Sequence, residues 1–214
     1  MSRFEIPPSA SGPWPAPAKL NLLLHVTGRR ADGFHELQTV FQFLGIADWL
    51  YFEITETALV DSIGGPAGID TDADLAVRAA RLLQAHAGIG HGVTIYNDKR
   101  LPIGAGLGGG SSDAASTLVV LNRLWNLYID INELSKIGLA LGADVPVFVR
   151  GHAAVAEGVG EILSPVELPE PWFLVVNPCV SVSTADIFSD VELTRDTPRM
   201  TIPDLLSDGG RNDC

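Results

Sequence analysis

The chain has 214 residues, of which 46% are hydrophobic, and a formal net charge of −12. This length supports one large domain, or one domain with part of another, around a real core. The acidic balance disfavours nucleic acid as a partner, because such binding depends on Lys and Arg neutralising phosphates. No apolar stretch is long enough to span a bilayer, and residues 1–17 lack the hydrophobic stretch of a signal peptide. We therefore expect a cytoplasmic protein with no membrane partner.

The two cysteines, Cys179 and Cys214, lie far apart, without metal-ligand spacing or a cluster of histidines beside them. This pattern indicates neither a disulfide framework nor a zinc site. No protein ligand of a metal is predicted.

Residues 19–26 alternate in the period of two that is typical of a half-buried strand, which places Lys19, Asn21 and His25 on one face. An Asp-Gly turn follows within residues 28–33. Runs of β-branched, aromatic and other apolar residues predict the remaining strands. These strands are expected at residues 37–44, 49–56, 92–97, 153–166 and 172–176.

Apolar residues at helical spacing predict the helices. The first is capped by Asp72 or Asp74, the second covers residues 111–125, and the third runs from Asn132 to a stop at Gly142. Short helices are expected at 183–189 and 202–207. The stripe of the first helix comprises Leu75, Ala79, Leu82 and His86, and that of the third comprises Leu134, Ile137 and Leu141. Strands and helices without regular βαβ alternation predict the α+β class.

The most informative segment is Pro102-Ile-Gly-Ala-Gly-Leu-Gly-Gly-Gly-Ser-Ser-Asp-Ala-Ala115, which carries five glycines between residues 104 and 110. A backbone without Cβ atoms tolerates positive φ and lets consecutive N–H groups close around an anion. The segment leads into the predicted helix at 111–125, whose N-terminus favours negative charge. The sequence therefore predicts a phosphate site here.

Other glycine-loop chemistries fit the same segment less well. Gly104, Gly106 and Gly109 satisfy the G-x-G-x-x-G spacing, but the acid about 20 residues onward, Asp130, follows a helical pattern instead of a strand. A Walker loop would need a Lys before the serine pair, and no protein-kinase motif occurs. A glycine-rich turn without a ligand stays open, although ordering so many glycines is entropically costly.

The Pro-x-Gly-x-Gly-Leu-Gly-Gly-Gly-Ser-Ser segment resembles the phosphate loop of the GHMP kinases, which phosphorylate small molecules. Further matching stretches narrow the resemblance to the branch that acts on cytidine diphosphate methylerythritol in the non-mevalonate isoprenoid pathway. These stretches are Pro17-Ala-Lys19-Leu-Asn21-Leu, Gly28-Arg-Arg30-Ala-Asp-Gly33-Phe-His35, Leu141-Gly-Ala-Asp144-Val-Pro146-Val-Phe148 and Ala156-Glu157-Gly158-Val-Gly160-Glu.

The resemblance implies a fold, two cofactors and two catalytic residues. The expected fold is an N-terminal domain of the GHMP-kinase and ribosomal protein S5 domain 2-like type over residues 1–152, followed by part of a second α+β domain over 153–214. ATP and Mg²⁺ are the expected cofactors. Asp144 is expected to accept the proton of the substrate's 2-hydroxyl, and Lys19 to keep that carboxylate ionised and to steady the γ-phosphate.

The resemblance also implies two sets of binding residues. The expected ATP-binding residues are Leu75, Lys99, Pro102, Ile103, Gly104, Ala105, Gly106, Leu107, Gly108, Gly109, Gly110, Ser111 and Ser112. The expected substrate-binding residues are Asn21, Phe34, His35, Thr184 and Phe188, with His35 on the cytosine edge and the two phenylalanines stacked on the ring. The family usually has Tyr where Phe34 stands, so stacking should survive and a hydrogen bond from that position should be absent. The resemblance also places Asp74 near the adenine, but this residue is at least as well explained as the cap of the first helix.

Nothing after His152 resembles the third glycine-rich motif of the GHMP kinases, and the chain stops where members of the family continue. We therefore expect a truncated form that binds nucleotide weakly and turns over slowly, if at all. Two alternatives stay open, namely a non-catalytic nucleotide-binding remnant and a GHMP kinase acting on another small alcohol. The sequence predicts no oligomeric state.

Overall fold

The computed structural model describes residues 4–178, 184–207 and 211–214. The chain divides into two compact units. Among the described residues, 4–18, 44–103 and 108–150 form the first unit, and the others form the second. The predicted division between residues 152 and 153 stays a prediction.

Two long strands contribute residues to both units. β1 spans Ser11–Arg29 and β2 spans His35–Thr55, and the two strands pair with each other. The turn between them is closed by a hydrogen bond from Arg30 N to Phe34 O (2.7 Å), with Gly33 at φ 91°. The prediction of separate strands at 37–44 and 49–56 was wrong, because the residues between them continue the strand without a break.

In the first unit, β3 (Val60–Gly64) pairs in parallel with β4 (Gly92–Asp98), and β4 pairs antiparallel with β2, with Trp49 opposite Asp98. The predicted strand at 92–97 is thus confirmed. The helices of this unit are α1 (Leu75–Ala87), α2 (Gly109–Leu124), α3 (Ile131–Leu139) and α4 (Val145–Arg150). Fully buried side chains of this unit include Leu50, Phe52, Leu83, Ile95, Leu118 and Leu121.

Helix termini in the first unit follow capping chemistry. Asp74 is the N-cap of α1 and accepts from Ala76 N at 2.9 Å, and Gly88 ends the helix in the left-handed region at φ 63°. Asp130 caps α3, so that helix begins one residue before the predicted Asn132. The predicted helix at 111–125 is confirmed as α2, which begins two residues earlier and ends one residue earlier than predicted.

The predicted apolar stripe of α1 was wrong except at Ala79. The buried residues of the helix are Ala76, Val77, Ala79, Ala80 and Leu83. Leu75 and Leu82 are half-buried and His86 is exposed, so the buried face runs through the neighbouring positions. In α3, by contrast, Leu134 and Ile137 are buried as predicted, while Leu141 lies beyond its end and is half-buried.

In the second unit, β5 (Ala154–Gly158) pairs antiparallel with both β2 and β6 (Ile162–Pro165). The prediction of one strand over 153–166 was wrong, because Gly158 and Gly160 adopt positive φ (72° and 116°) and turn the chain into a hairpin. Leu23, Val40, Val155 and Leu205 form a buried apolar cluster.

The C-terminal part of the chain departs from one prediction and agrees with two. Residues 172–176 form no strand within the described ranges, since β-propensity alone does not supply a partner strand. The predicted short helices are α5 (Thr184–Ser189) and α6 (Ile202–Ser207). Cys179 and Ser183 lie outside the described residues. The mixture of paired strands and helices confirms the α+β class.

Candidate functional site

The glycine-rich segment alternates in backbone handedness. Gly104, Gly106 and Gly108 have φ of 70°, 72° and 72°. Such positive φ values are readily available to glycine and strained for other residues. Alternation of this kind turns successive N–H groups toward one side and makes a concavity for an anion. Residues 104–107 belong to the second unit and residues 108–112 to the first.

The start of α2 has the features of an anion site. Its N-cap is Gly108, which has no side chain to accept from the N–H groups of the first turn, and that turn contains no acidic residue. Ser111 is half-buried, whereas Ser112 is fully buried and, within the described ranges, its Oγ has no hydrogen-bond partner. N–H groups without a cap and the positive end of a 16-residue helix both favour a negative ligand.

A buried charge cluster stands next to the start of α2. Nζ of Lys99 donates to Oδ2 of Asp113 at 2.7 Å and to Oδ2 of Asp48 at 2.5 Å. Asn97 Nδ2 also donates to Asp113 at 3.0 Å. A Cβ placed on Gly109 would lie 3.0 Å from Nζ of Lys99, so the glycine allows the helix to approach the ammonium group closely. Lys99 and the beginning of α2 are thus brought together.

Asp48 also fixes the backbone that leads into the loop. Its Oδ1 accepts from the backbone N–H groups of Arg100 (2.5 Å) and Leu101 (2.7 Å), and its side chain is fully buried. One carboxylate therefore holds both the ammonium group of Lys99 and the chain immediately before Pro102.

The cluster shifts the pKa values of its members. Burial lowers the pKa of Lys99, but the charges and hydrogen bonds of Asp113 and Asp48 outweigh that effect and raise it above 10.5. Burial raises the pKa of Asp113 to about 7; the charge of Lys99 opposes this rise and that of Asp48 adds to it. The cluster therefore combines a firmly charged lysine with a carboxyl group that titrates near neutrality.

Leu75, another predicted ATP-binding residue of the first unit, begins α1 and lies close to the glycine at residue 110. A Cβ on Gly110 would be 3.3 Å from Leu75 Cδ1. Pro102 and Ile103 are exposed. Burial raises the pKa of Asp74, which is the N-cap of α1; its predicted capping role is confirmed.

Asp144 lies on the turn between α3 and α4, half-buried, and directly precedes Val145 at the start of α4. The turn is closed by a hydrogen bond from Val145 N to Gly142 O (3.1 Å). A Cβ on Gly142 would lie 3.9 Å from Ser111 Oγ, which places this turn beside the start of α2. The turn that carries Asp144 and the end of the glycine loop are therefore neighbours within the first unit.

In the second unit, a chain of hydrogen bonds runs from Lys19 through Asn21 of β1 to Thr39 of β2. Lys19 Nζ donates to Asn21 Oδ1 (2.5 Å), Asn21 Nδ2 donates to Thr39 Oγ1 (2.7 Å), and that hydroxyl donates to Leu23 O (2.6 Å). The ammonium group also lies 5.4 Å from the ring centroid of Phe41. Backbone N–H of Lys19 donates to Leu107 O (2.9 Å), which ties β1 to the glycine-rich segment.

The predicted base-binding residues are partly brought together. His35 is buried at the start of β2, and its ring stacks on Phe188 of α5 with centroids 5.0 Å apart and planes at 23°. Phe34 precedes it and is 64% exposed. Thr184 begins α5, and its side chain lies outside the described part of the chain.

Sequence reasoning missed Asp48, Asp113 and Arg195. Asp113 directly follows the two serines of the loop, and Asp48 is an acid within a run of strand residues, so both carried a weak signal. Arg195 donates from Nε to Nε2 of His35 at 3.1 Å and lies 160 residues further along the chain, which leaves no local signal.

The described residues contain no group of three or more His, Cys, Asp or Glu side chains placed to hold a metal ion. Nor does any helix among them have the length and apolar character needed to cross a membrane.

The fold and the loop define a kinase of the GHMP class. The protein family described as "GHMP kinases N terminal domain" matches this chain over residues 74–152. A crystal structure of 4-(cytidine 5'-diphospho)-2C-methyl-D-erythritol kinase is similar over 91% of this chain and 69% of that chain, with a TM-score of 0.75 and 40% identity. Homoserine kinase from Cytophaga hutchinsonii has the same fold at a TM-score of 0.59 and 17% identity.

Similar sequences narrow the class to one enzyme. The 4-diphosphocytidyl-2-C-methyl-D-erythritol kinase of Pseudomonas paraeruginosa is 60% identical over 200 residues, which are 94% of this chain and 71% of that protein. The enzyme of the same name from Ectopseudomonas mendocina is 56% identical over the whole chain and 74% of its own length. The chain belongs to the 4-diphosphocytidyl-2-C-methyl-D-erythritol kinase family.

Proposed function

We propose that this chain transfers the γ-phosphoryl group of ATP to the 2-hydroxyl of 4-diphosphocytidyl-2-C-methyl-D-erythritol, a step of the non-mevalonate isoprenoid precursor pathway. The observation that carries the proposal is identity of 55–60% to proteins with this enzyme's name. The open N-terminus of α2 supports it, because phosphoryl transfer needs a fixed cradle for the phosphates.

Residues 104–112 form the phosphate cradle in this proposal. Positive φ at Gly104, Gly106 and Gly108 supports it, as does the absence of a side-chain cap on α2. Ser111 is the better candidate for a phosphate oxygen, since the Ser112 hydroxyl is fully buried. Leu75, Lys99, Pro102 and Ile103 are proposed to border the adenine, with Lys99 held in place by its two carboxylates.

Asp144 acts as the general base. Its carboxylate accepts the proton of the 2-hydroxyl as the oxygen attacks the γ-phosphorus, the bond from that phosphorus to the bridging oxygen breaks, and ADP leaves. The ammonium group of Lys19 offsets the negative charge that gathers on the transferring group. The hydrogen bond from Lys19 to Asn21 supports the role, because it limits the conformations of a long side chain.

The residues present are compatible with Mg²⁺. This ion is usually held by one or two carboxylates together with substrate phosphates and waters, not by a cage of protein ligands. The Ser111 hydroxyl and the turn that carries Asp144 are neighbours and supply oxygen donors of that type. When bound with ATP, Mg²⁺ would offset charge on the phosphates.

His35, Phe34 and Phe188 are proposed to recognise the cytosine, and Asn21 and Thr184 to lie near the methylerythritol or the diphosphate. The stacking of His35 on Phe188 supports the first part, since flat rings already associate there. The exposure of Phe34 supports a ligand role more than a core role. The cytoplasmic location stays a prediction.

A direct assay tests the function. Purified protein of confirmed mass is mixed with ATP, Mg²⁺ and one alcohol at a time, and phosphorus NMR follows the γ-phosphate. We expect transfer to the cytidyl alcohol and none to homoserine or mevalonate. Transfer to either of those alcohols would indicate another GHMP branch, and ATP binding without transfer would favour a nucleotide-binding remnant.

A further inference from the structure

Thr39 occupies a fixed place in the second unit. It lies opposite Ala156 of β5 in the paired part of β2, and it is 2% exposed. Phe41 is two residues further along the same strand and therefore shares the face of Thr39. The buried ring of Phe41 has the ammonium group of Lys19 5.4 Å from its centroid. A strand that is fixed by pairing thus presents a hydroxyl group and an aromatic ring to the side chains of β1.

The direction of the hydrogen bonds is set by a backbone carbonyl. Leu23 O lies 2.6 Å from Thr39 Oγ1 and can only accept, so the single hydrogen of the hydroxyl group points to it. The hydroxyl oxygen can then only accept from Asn21, which must present its NH₂ group at 2.7 Å. The amide oxygen is left for Nζ of Lys19, 2.5 Å away, which has only donors. The carbonyl of Leu23 and the ammonium group of Lys19 therefore require the same orientation of the amide.

This chain of hydrogen bonds holds a flexible side chain through a neutral acceptor. Lysine carries its ammonium group on a stem of four carbons with many rotamers. Asn21 orients that group with an amide oxygen, whereas the ammonium group of Lys99 is held by the carboxylates of Asp48 and Asp113. An amide oxygen adds no negative charge beside the ammonium group, so the bond to Asn21 does not weaken the attraction of Lys19 for phosphate.

We propose that Thr39 is a positioning residue for phosphoryl transfer, which anchors the amide of Asn21 to the sheet so that its oxygen holds the ammonium group of Lys19 in place. The role in transfer rests on the proposed function, since only that function gives Lys19 a phosphoryl group to act on. Without the hydroxyl group, the NH₂ group of Asn21 and the carbonyl of Leu23 lose their shared partner, and the amide shifts to find another. Lys19 then moves with it, and a displacement of about 1 Å can cost on the order of a hundredfold in rate.

The orientation of the amide is tested first, on the unmodified protein. The side-chain NH₂ signals of Asn21 are assigned by their loss in Asn21→Asp, and nuclear Overhauser effects then locate the two protons. We expect these effects to be stronger to the methyl group of Thr39 than to the Cε protons of Lys19. The reverse pattern would overturn the proposal, because Thr39 would then not accept from the amide. This result needs no Thr39 variant and decides even where such a variant fails to fold.

The variant Thr39→Val then tests the anchor, since it removes the hydroxyl group and keeps the branched shape. Nitrogen relaxation of the Asn21 amide should show a more mobile group in Thr39→Val and an unchanged one in Thr39→Ser. Thr27→Val is the matched control, because Thr27 of β1 donates to Glu36 O of β2 at 3.3 Å and its hydroxyl group is outside this chain of bonds. An amide that stays rigid in Thr39→Val, or becomes equally mobile in Thr27→Val, would contradict the anchoring role.

Steady-state kinetics with ATP and the cytidyl alcohol test the role in transfer. We expect kcat to fall about 10- to 100-fold in Thr39→Val, with both KM values little changed. Thr39→Ser should recover most of the lost rate, and Thr27→Val should lose none. An unchanged kcat in Thr39→Val, an equal loss in Thr39→Ser, or a change confined to KM would refute the positioning role.

The failure of the proposed function would give a different result. An unmodified protein that does not phosphorylate the cytidyl alcohol would refute that function, and with it the role of Thr39 in transfer. The NMR measurements would still decide whether Thr39 anchors Asn21.

Discussion

Lys99 and Asp113 form a buried ion pair, with Nζ of the lysine 2.7 Å from Oδ2 of the aspartate. Lys99 precedes the five glycines at residues 104–110 and Asp113 follows them in α2, so the pair joins the two ends of that run of glycines. Asp48 of β2 contacts the same ammonium group. Residues 48, 99 and 113 thereby fix the start of α2 within the first unit.

Asp113→Asn should change how stability depends on pH. The pKa of Asp113 is about 7 in the folded chain and 3.8 in the reference state, so between those values the folded chain binds more protons at this group. Its contribution to the free energy of unfolding is complete below about pH 4 and is lost as pH rises through 7. The unfolding free energy of the unmodified protein relative to Asp113→Asn should therefore fall between pH 4 and 7.

Urea unfolding at half-unit pH steps measures this difference. A difference that is constant over the interval would mean that Asp113 does not titrate there. Asp130→Asn is a suitable control, because Asn also caps helices well and Asp130 is exposed.

Asp48→Ala should be strongly destabilising. The substitution leaves Lys99 Nζ and the N–H groups of Arg100 and Leu101 without their shared acceptor in a buried place. Breaking a buried pair by removing one partner costs about 3–5 kcal/mol. Urea unfolding at pH 7 checks the value, and Glu133→Ala, which removes an exposed pair with Lys136, should cost at most about 1 kcal/mol. Equal losses in the two variants would show that burial of Asp48 contributes little.

Local chemistry made part of this structure predictable. The cap at Asp74, the strand at 92–97 and the helix after the glycines each depend on neighbouring residues, and the sequence contains those residues side by side. The turn that carries Asp144 was found through a resemblance, because an acid before Val-Pro has no chemical meaning by itself.

Features that depend on distant partners were missed. Asp48 is 51 residues from Lys99, and Arg195 is 160 residues from His35, so neither contact leaves a periodic pattern. The strand at 172–176 was predicted from propensity, which says nothing about whether another strand is available to pair with it. The hairpin at 154–165 was missed because its glycine turn was read as part of one strand.

Gly106→Ala should weaken nucleotide binding without any steric clash. The residue has φ 72°, and a Cβ there would meet nothing within 4 Å, so the substitution isolates backbone strain. The left-handed conformation costs a residue with a Cβ roughly 1–2 kcal/mol. We expect the empty loop of the variant to relax out of this conformation, so that binding must restore it, which corresponds to about a 5- to 30-fold weaker Kd for ATP. Calorimetric titration with a non-hydrolysable ATP analogue measures it. Gly90→Ala is the control, because Gly90 also lies in open space but has no positive φ, and it should leave Kd unchanged. An equal change of Kd in both variants would show that the conformation of the loop does not affect ATP binding.

Asp144→Asn should lower kcat by about 10²- to 10⁴-fold, the usual contribution of a general base, while the KM for ATP changes little. The amide has the shape of the carboxylate but cannot accept the hydroxyl proton at neutral pH. Asp144 is half-buried on a turn beside Ser111, so its substitution should destabilise the fold less than substitution of the fully buried Asp48. Steady-state kinetics with the cytidyl alcohol measure both constants, and Asp130→Asn again supplies the control. Turnover in Asp144→Asn within threefold of the unmodified protein would assign the proton to another acceptor, because an enzyme that depends on this carboxylate cannot lose it and keep its rate.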